Sequence, residues 1–240
     1  MAKSYKAVVF DADHTLLNYI EDEKGAFARL YAYLGMPFDE SLWQASRRHS
    51  EETWTEWGMY DVANPVMQAR YHQVYRAHLE GVFTKIFAEF PCPNGGVSAK
   101  RAGEIFLENL GLGGVLIDGA ESLLQALRGK YPVYIATNGL SIVQRGRLQS
   151  LAPYFEKAYI SEEVGAIKPL PAFFERIFEE TGLRADEILM VGDSLSSDIA
   201  GANGVGMDGC WYNPRGEENR TSVQPKYEIQ TLQALTEILL

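Results

Sequence analysis

The acidic pair Asp11 and Asp13 stands directly after an apolar, largely β-branched run in the sequence AVVFDADHTLLN. Such a run predicts a strand buried on both faces, here over residues 6–10. Carboxylates at the end of a buried strand are costly unless an opposite charge or a reacting group shares their surroundings. The pair therefore indicates a site at which a cation or a reaction partner meets two carboxylates.

Further polar side chains follow other short apolar segments in the second half of the chain. Each of these segments is a predicted strand, and parallel strands bring their carboxyl ends to the same edge of a sheet. We therefore expect the polar residues to gather near Asp11 and Asp13. They are Thr137, Asn138, Lys168, Asp193 and Asp198.

The chemistry of this set is that of a phosphate held beside a metal ion. Carboxylate oxygens are the ligands that a hard cation such as Mg²⁺ prefers. A lysine ammonium, a hydroxyl and backbone N–H groups next to glycine can stabilise a phosphoryl group. The residue types therefore predict magnesium as cofactor and a phosphorylated substrate.

The acidic composition restricts the partners. The 240 residues include 22 Lys and Arg against 32 Asp and Glu, which gives a formal net charge of −10. This balance argues against nucleic acid polymers and anionic membrane surfaces as the main partners. No segment approaches the roughly 18 apolar residues of a membrane-spanning helix, so no membrane role is expected. A small phosphorylated metabolite is compatible with this charge, and the oligomeric state stays open.

The cysteines predict a reducing environment. Cys92 and Cys210 are the two cysteines of the chain, and they form neither a disulfide framework nor a metal-ligand pattern. The first residues lead almost at once into a strand and lack the apolar segment of a secretory signal. We therefore expect a cytoplasmic protein.

From about residue 115 onward, helical segments alternate with short apolar strands. The strands are predicted over residues 133–137, 158–160, 188–191 and 208–212. This alternation implies a Rossmann-like parallel sheet with helices on both faces. The strand of residues 6–10 joins the same sheet, because an isolated strand would have no other partner.

The stretch between the first strand and residue 115 has helical periodicity and no strand signal. We therefore expect an α/β catalytic core of residues 1–17 and 115–240, and an all-helical cap of residues 18–114 inserted after the first strand. An insertion at this point lies above the carboxyl ends of the strands, where open α/β folds bind ligands.

The acidic segment FDADHTLL resembles the first motif, DxDx[TV], of the haloacid dehalogenase superfamily. ATNG is similar to the second motif, Lys168-Pro169 to the third, and VGDSLSSD to the fourth. A lone DxD or KP is common by chance, but four motifs in family order at predicted strand ends are specific. The helical insert is similar to the smaller, first type of cap in that family.

Two longer segments narrow the resemblance. SEEVGAIKP and VGDSLSSDIAGANGVGMDGCWYN resemble the branch that includes bacterial pyrimidine 5′-nucleotidases, which act on nucleoside monophosphates. The resemblance implies a magnesium-dependent phosphatase for small phosphate monoesters, with a nucleoside 5′-monophosphate as the expected substrate. Because both segments belong to the core, they bear on the chemistry more directly than on the substrate.

The resemblance also implies a role for each acidic residue. Asp11 is the expected nucleophile, which forms an aspartyl-phosphate, and Asp13 the expected general acid and base. Magnesium is expected on the carboxylates of Asp11 and Asp193 and on the backbone carbonyl of Asp13. Asp198 is expected to anchor Lys168 or a metal-bound water, although a role at the start of a helix stays open.

The remaining motif residues are expected at the phosphate. The resemblance implies that Thr137 donates a hydrogen bond to the phosphoryl oxygens, with the Asn138 amide beside it. Lys168 is expected to balance the negative charge around Asp11. His14 departs from the glycine or small polar residue usual at its position. It either contacts the substrate or lies in an exposed loop.

Other functions stay open at this point. A phosphomutase shares all four motifs and differs mainly in whether the cap excludes water, and a sugar-phosphate phosphatase would share the same core. A non-catalytic module that binds a phosphorylated ligand is a third alternative, in which Asp13 has no task. Haloacid dehalogenation is disfavoured, because it needs no metal and lacks the second acid that Asp13 supplies.

The insert is rich in aromatic residues between Trp43 and Tyr75. Packing between helices explains such residues most simply, whereas contact with a base or sugar ring of the substrate is the alternative. The second interpretation expects the insert to choose the substrate.

Overall fold

The computed structural model describes residues 5–93 and 96–240. In this part of the chain six strands form one sheet: β1 (Ala7–Phe10), β2 (Val133–Thr137), β3 (Lys157–Ile160), β4 (Ile188–Gly192), β5 (Asp208–Tyr212) and β6 (Tyr227–Ile229). Their order is β3-β2-β1-β4-β5-β6, and every neighbouring pair is parallel. The predicted Rossmann-like parallel sheet is confirmed.

The strand β1 lies in the interior of the sheet, between β2 and β4. All four of its residues are fully buried, which is why its sequence is continuously apolar rather than alternating. Val8 pairs with Val133 of β2 on one side and with Leu189 of β4 on the other. The carboxyl end of β1 therefore has the ends of two other strands as direct neighbours.

The described residues of the insert form four helices: α1 (Tyr19–Leu34), α2 (Glu40–Glu56), α3 (Pro65–Glu89) and α4 (Ala99–Leu110). Their starts follow from local chemistry. The Asn64 side chain accepts a hydrogen bond from the Val66 N–H, and the Ser98 hydroxyl accepts one from the Arg101 N–H. In the described part of the chain, no helix combines the length and the apolar character that crossing a bilayer requires.

The helices after the insert are α5 (Ala120–Leu127), α6 (Ser141–Arg147), α7 (Ser161–Val164), α8 (Pro171–Thr181), α9 (Ala200–Gly204) and α10 (Leu235–Leu239). Those that share the apolar clusters of the sheet cover its two faces. Val8 and Phe10 share one apolar cluster with Leu123 of α5, whereas Val9 shares the opposite cluster with Phe173 of α8. This alternation places helices on both faces, as the βαβ pattern predicts.

The described chain folds as two compact units. One contains the segment that ends at Asn18, together with Val115–Ser141 and Leu148–Leu240, and the other contains Tyr19–Gly114 and Ile142–Arg147. The sequence-based expectation ends the cap at residue 114 and keeps residues 115–240 in the core, whereas these two units group Ile142–Arg147 with the helices of the insert. The close approach of Gly146 to Gly111 explains the grouping, because a Cβ on Gly146 would collide with the Gly111 backbone.

A buried ion pair within the helical unit supports the same grouping. Arg147 donates from Nε to Asp22 Oδ2 at 2.7 Å, and neither side chain is exposed. Asp22 Oδ1 also accepts the Gly114 N–H at 2.8 Å. The Arg147 guanidinium lies 5.2 Å from the centroid of the Tyr19 ring. Arg147 of α6 therefore contacts the start of the insert at Tyr19 and Asp22. Because Asp22 also binds the Gly114 N–H, the same network reaches the end of the insert.

Many aromatic residues of the insert pack within it. The Phe27 ring centroid lies 4.5 Å from that of Phe106 and 6.2 Å from that of Trp43. Trp43 is buried, whereas Trp57 and Tyr60 are 42% and 60% exposed. Helix packing therefore accounts for Trp43, and the expectation of a substrate contact stays a prediction.

The buried pair of Asp22 and Arg147 should have a large effect on stability. Asp22→Asn removes the charge but keeps a similar shape, so the buried Arg147 guanidinium loses the carboxylate that pairs with it at 2.7 Å. We expect a loss of about 3–5 kcal/mol in the free energy of unfolding in urea. Adding Arg147→Met should restore most of it, because an apolar side chain needs no counter-charge.

The exposed pair of Arg101 and Glu104 in the same unit is the control. Glu104→Gln should change the free energy of unfolding by under about 1 kcal/mol. If the losses of Asp22→Asn and Arg147→Met simply add in the double variant, the two side chains are not coupled.

Candidate active site

The chain turns immediately after β1, which separates the two acidic side chains. Asp11 continues the sheet, since its N–H donates to the Val191 carbonyl at 2.8 Å, and its side chain is buried. The N–H groups of Leu16 and Leu17 both return to the Ala12 carbonyl and close the turn. Asp13 lies inside this turn and is only partly buried. One carboxylate is therefore fixed at the sheet while the other stays accessible.

His14 occupies an unusual backbone conformation in the same turn. Its φ is 62°, in the left-handed region that favours glycine. The side chain is exposed, and the His14 N–H donates to the Leu17 carbonyl at 2.9 Å. The expectation of an exposed loop residue agrees with this position, and its contact with substrate stays a prediction.

Lys168 is buried among three oxygen acceptors. Its Nζ donates to Asp11 Oδ1 at 2.6 Å, to Asp198 Oδ1 at 2.7 Å and to the Ala136 carbonyl at 2.6 Å. These contacts match the three donors of an ammonium group. Burial alone lowers the pKa of Lys168, but the charges and hydrogen bonds of Asp11 and Asp198 raise it above its ordinary value. The side chain is therefore charged and locked in one orientation.

The Asn138 side chain holds the backbone of Lys168. Its Nδ2 donates to the Lys168 carbonyl at 2.9 Å, and its Oδ1 accepts the Lys168 N–H at 2.8 Å. The carboxamide of Asn138 therefore positions Lys168. Any contact of Asn138 with the phosphate, as the sequence predicts, falls to its backbone amide.

Thr137 and Gly139 flank Asn138 at the end of β2. Thr137 is the last residue of that strand, pairs with Ile160 of β3 and is buried. The Ser161 hydroxyl accepts the Gly139 N–H at 2.9 Å and donates to the Gly139 carbonyl at 3.3 Å. Sequence reasoning gave Ser161 no role, although it opens the segment SEEVGAIKP, because its contact with Gly139 forms only in the folded chain. It fixes the turn that carries Thr137 and Asn138.

Asp193 and Asp198 come from the chain after β4. The Asp193 N–H donates to Thr15 Oγ1 at 3.1 Å, and Thr15 Oγ1 donates back to Asp193 Oδ1 at 3.4 Å. Asp198 lies on a single π-helical turn, Leu195–Ile199, where its Oδ2 accepts the Ser194 N–H at 3.0 Å. Both oxygens of Asp198 therefore have donors, one from Ser194 and one from Lys168.

Close packing explains the glycine that precedes Asp193. A Cβ on Gly192 would collide with the Asp198 carboxylate, so a side chain at this position would displace Asp198. The small residue lets that carboxylate approach the strand end and reach Lys168.

Carboxylate oxygens of Asp11, Asp193 and Asp198 lie within 4.8 Å of one another. Burial raises the pKa of Asp11 well above its usual range, Lys168 opposes the rise, and Asp198, Asp193 and Asp13 add to it. Burial and the Asp198 charge also raise the pKa of Asp193 to about 7. One ammonium does not neutralise four nearby carboxylates. A divalent cation, which prefers oxygen ligands, would balance the remaining negative charge of these carboxylates.

Comparison with known proteins points to one family. The model of the haloacid dehalogenase-like hydrolases matches residues 5–206. The pyrimidine 5′-nucleotidase PynA of Streptococcus pneumoniae is 31% identical, over 98% of this chain and 95% of that protein. The pyrimidine 5′-nucleotidase YjjG of Escherichia coli is 27% identical, over 97% of this chain and 96% of that protein.

A solved structure is similar over its whole length. The magnesium-bound, orthorhombic crystal structure of the HAD-hydrolase YfnB from Bacillus subtilis has a TM-score of 0.83 to this chain. The two are 29% identical, and the alignment covers 99% of each chain.

Removing the Lys168 charge should destabilise the α/β unit. Lys168→Met leaves the buried carboxylates of Asp11 and Asp198 without their cation. We therefore expect the free energy of unfolding to fall by about 3–5 kcal/mol, which lowers the thermal unfolding midpoint. Lys157→Met is the matched control, since Lys157 of β3 forms a partly exposed pair with Glu180 of α8 in the same unit. The control should lose under about 1 kcal/mol. Equal unfolding midpoints for both variants would contradict the expected contribution of the buried Lys168 ion pairs to stability.

Proposed function

This chain belongs to the haloacid dehalogenase-like hydrolase family and is a phosphoric monoester hydrolase, and we propose that it uses magnesium to hydrolyse nucleoside 5′-monophosphates through an aspartyl-phosphate. One observation supports the proposal most directly. At the carboxyl end of β1, Lys168 holds the Asp11 carboxylate in place, and the Asp193 carboxylate lies beside it. The accessible second acid, Asp13, stands two residues away.

The metal would be held by oxygen atoms of three residues. These are the carboxylates of Asp11 and Asp193 and the backbone carbonyl of Asp13. Asp198 is excluded from this set in the proposal, because Lys168 and Ser194 already engage its two oxygens. When bound, Mg²⁺ supplies positive charge that reduces the repulsion between the Asp11 carboxylate and an anionic phosphate.

In the first step Asp11 attacks phosphorus. The new bond joins an Asp11 carboxylate oxygen to phosphorus, and the bond from phosphorus to the alcohol oxygen of the substrate breaks. Asp13, as a carboxylic acid, transfers its proton to that leaving oxygen. Lys168 keeps the Asp11 carboxylate in one orientation throughout, because its three contacts are already formed.

In the second step water removes the phosphoryl group. Asp13, now a carboxylate, accepts a proton from the water as its oxygen attacks phosphorus, and the bond to Asp11 breaks. Inorganic phosphate leaves, and both aspartates return to their starting forms. The same side chain thus serves as acid and then as base, which suits its partly exposed position in the turn.

The phosphate is proposed to meet the loop after β2. The Thr137 hydroxyl and the backbone amide of Asn138 would donate to its oxygens, while Lys168 contributes charge. The clamp between Asn138 and the Lys168 backbone supports this arrangement, because it joins the two loops on which these donors stand. Preformed donors need no rearrangement when charge develops on the phosphoryl oxygens.

The nucleoside part of the proposal is supported by full-length relatives. PynA and YjjG are named as pyrimidine 5′-nucleotidases and align over more than nine tenths of this chain. Sugar phosphates are the competing substrate class, since the same phosphoryl-transfer residues could act on a nucleoside monophosphate or on a sugar phosphate.

Phosphate release from a substrate panel tests the proposal. The panel contains nucleoside monophosphates, sugar phosphates and p-nitrophenyl phosphate, each with Mg²⁺ and with a chelator. We expect magnesium-dependent release with nucleoside monophosphates preferred. Asp11→Asn should lower kcat at least about 10³-fold, because the nucleophile is lost. Asp13→Asn should lower it about 10²–10⁴-fold through loss of acid–base catalysis.

The control variant is Asp186→Asn, an exposed aspartate that pairs with Arg184, and it should keep wild-type rates. Preference for sugar phosphates would contradict the nucleotide assignment, whereas the proposed phosphoryl-transfer mechanism would be unaffected. Full activity in Asp13→Asn would contradict the acid–base assignment. Magnesium binding without release from any compound would favour the mutase or the binding module.

A further inference from the structure

A tryptophan outside the four motif assignments contacts the backbone of the Asp193 site. Trp211 lies on β5 and pairs in register with Gly192, the last residue of β4. Its indole Nε1 donates to the Asp193 carbonyl at 2.8 Å, and the side chain is buried. The indole therefore reaches one residue beyond its strand partner.

The Asp193 backbone is held at both ends by side chains. Its N–H donates to the Thr15 hydroxyl, and its carbonyl accepts from the Trp211 indole. Asp193 needs these partners because β4 ends at Gly192, so the sheet no longer pairs its backbone groups. Two elements that are distant in sequence thus fix the two peptide planes that flank the Asp193 Cα.

These two peptide planes set the direction of the Asp193 side chain. The Cα–Cβ bond has a fixed geometry relative to the N, Cα and C atoms of Asp193, and these atoms belong to the two planes, so a displacement of either plane moves the carboxylate. Thr15 also contacts Asp193 Oδ1, which leaves Trp211 as the partner that acts through the backbone alone. Groups that orient a metal ligand in this way commonly contribute a large part of the metal affinity.

We propose that Trp211 is a positioning residue, whose indole N–H directs the Asp193 carboxylate towards the divalent cation of the active site. The inference rests on the proposed function, since it takes Asp193 as a magnesium ligand. It adds a residue that touches neither substrate nor metal. The chain has three further tryptophans, Trp43, Trp54 and Trp57, and all of them lie in the helical unit.

A role in packing alone is the competing explanation. Trp211→Phe separates the two, because phenylalanine keeps an aromatic ring in the core but has no N–H to donate. Packing alone expects a lower unfolding midpoint with unchanged magnesium affinity. Positioning expects a weaker magnesium affinity even where the variant is folded.

Magnesium titration by calorimetry, without substrate, is the first test. We expect the magnesium Kd of Trp211→Phe to rise about 10–100-fold over wild type. Trp57→Phe is the matched control, since Trp57 is part-exposed in the other unit, and its Kd should equal that of wild type. An unchanged Kd in Trp211→Phe would overturn the inference and leave the proposed function intact.

The wild-type protein offers a second readout that needs no folded Trp211 variant. The indole N–H signals of ¹⁵N-labelled tryptophan are followed by NMR during a Mg²⁺ titration, and the Trp211 signal is assigned by elimination with Trp43→Phe, Trp54→Phe and Trp57→Phe. We expect the Trp211 signal to shift with the Kd that calorimetry gives. A Trp211 signal unmoved at saturating Mg²⁺ would overturn the inference. Wild-type protein that binds no Mg²⁺ would overturn the proposed function itself.

Discussion

The contact of the Lys168 ammonium with Asp11 and Asp198 is the interaction on which the rest of this site depends. It buries one positive charge beside several negative ones, at the ends of strands where water cannot compensate. One ammonium does not balance the carboxylates of Asp11, Asp13, Asp193 and Asp198, so their ionised forms together would leave an excess of negative charge here, which raises the pKa of Asp11. That excess is the physical reason for the proposed cation, and the fixed Asp11 orientation is the reason for the proposed nucleophile.

The sheet order makes this concentration of charge achievable. The strand β1 has β2 and β4 as direct neighbours, so the loops that follow β2 and β4 each start one strand spacing from the loop that follows β1. Side chains then hold the loops in place: Asn138 fixes Lys168, Ser161 fixes Gly139, and Thr15 with Trp211 fixes Asp193. Reactive groups on short, hydrogen-bonded loops of a rigid sheet can keep the geometry that phosphoryl transfer demands.

Local chemistry explains what could be predicted from the sequence. The apolar run before Asp11 predicts a buried strand, and β1 is that strand. The alternation of helices and apolar strands predicted the parallel sheet, and the resemblance to four motifs predicted the family; both predictions are confirmed. Contacts between distant residues could not be predicted. Arg147 pairs with Asp22, which is 125 residues away in the sequence, and this pair links α6 to the helical unit. Trp211 can contact Asp193 only because β5 pairs with β4 in the folded chain. The strand β6 was missed because its three residues carry no periodic signal.

The most direct test of the central claim is to detect a phosphoryl group on Asp11. In Asp13→Asn, p-nitrophenyl phosphate should still phosphorylate the enzyme, because p-nitrophenolate leaves without a proton, whereas hydrolysis of the intermediate needs the missing base. After one turnover with Mg²⁺ the protein is quenched in acid, digested and analysed by mass spectrometry. The account predicts one phosphoryl group on the peptide that contains Asp11, and none when Asp11→Asn is combined with Asp13→Asn. Release of p-nitrophenolate with that peptide unmodified, or with the phosphoryl group on another residue, would contradict it.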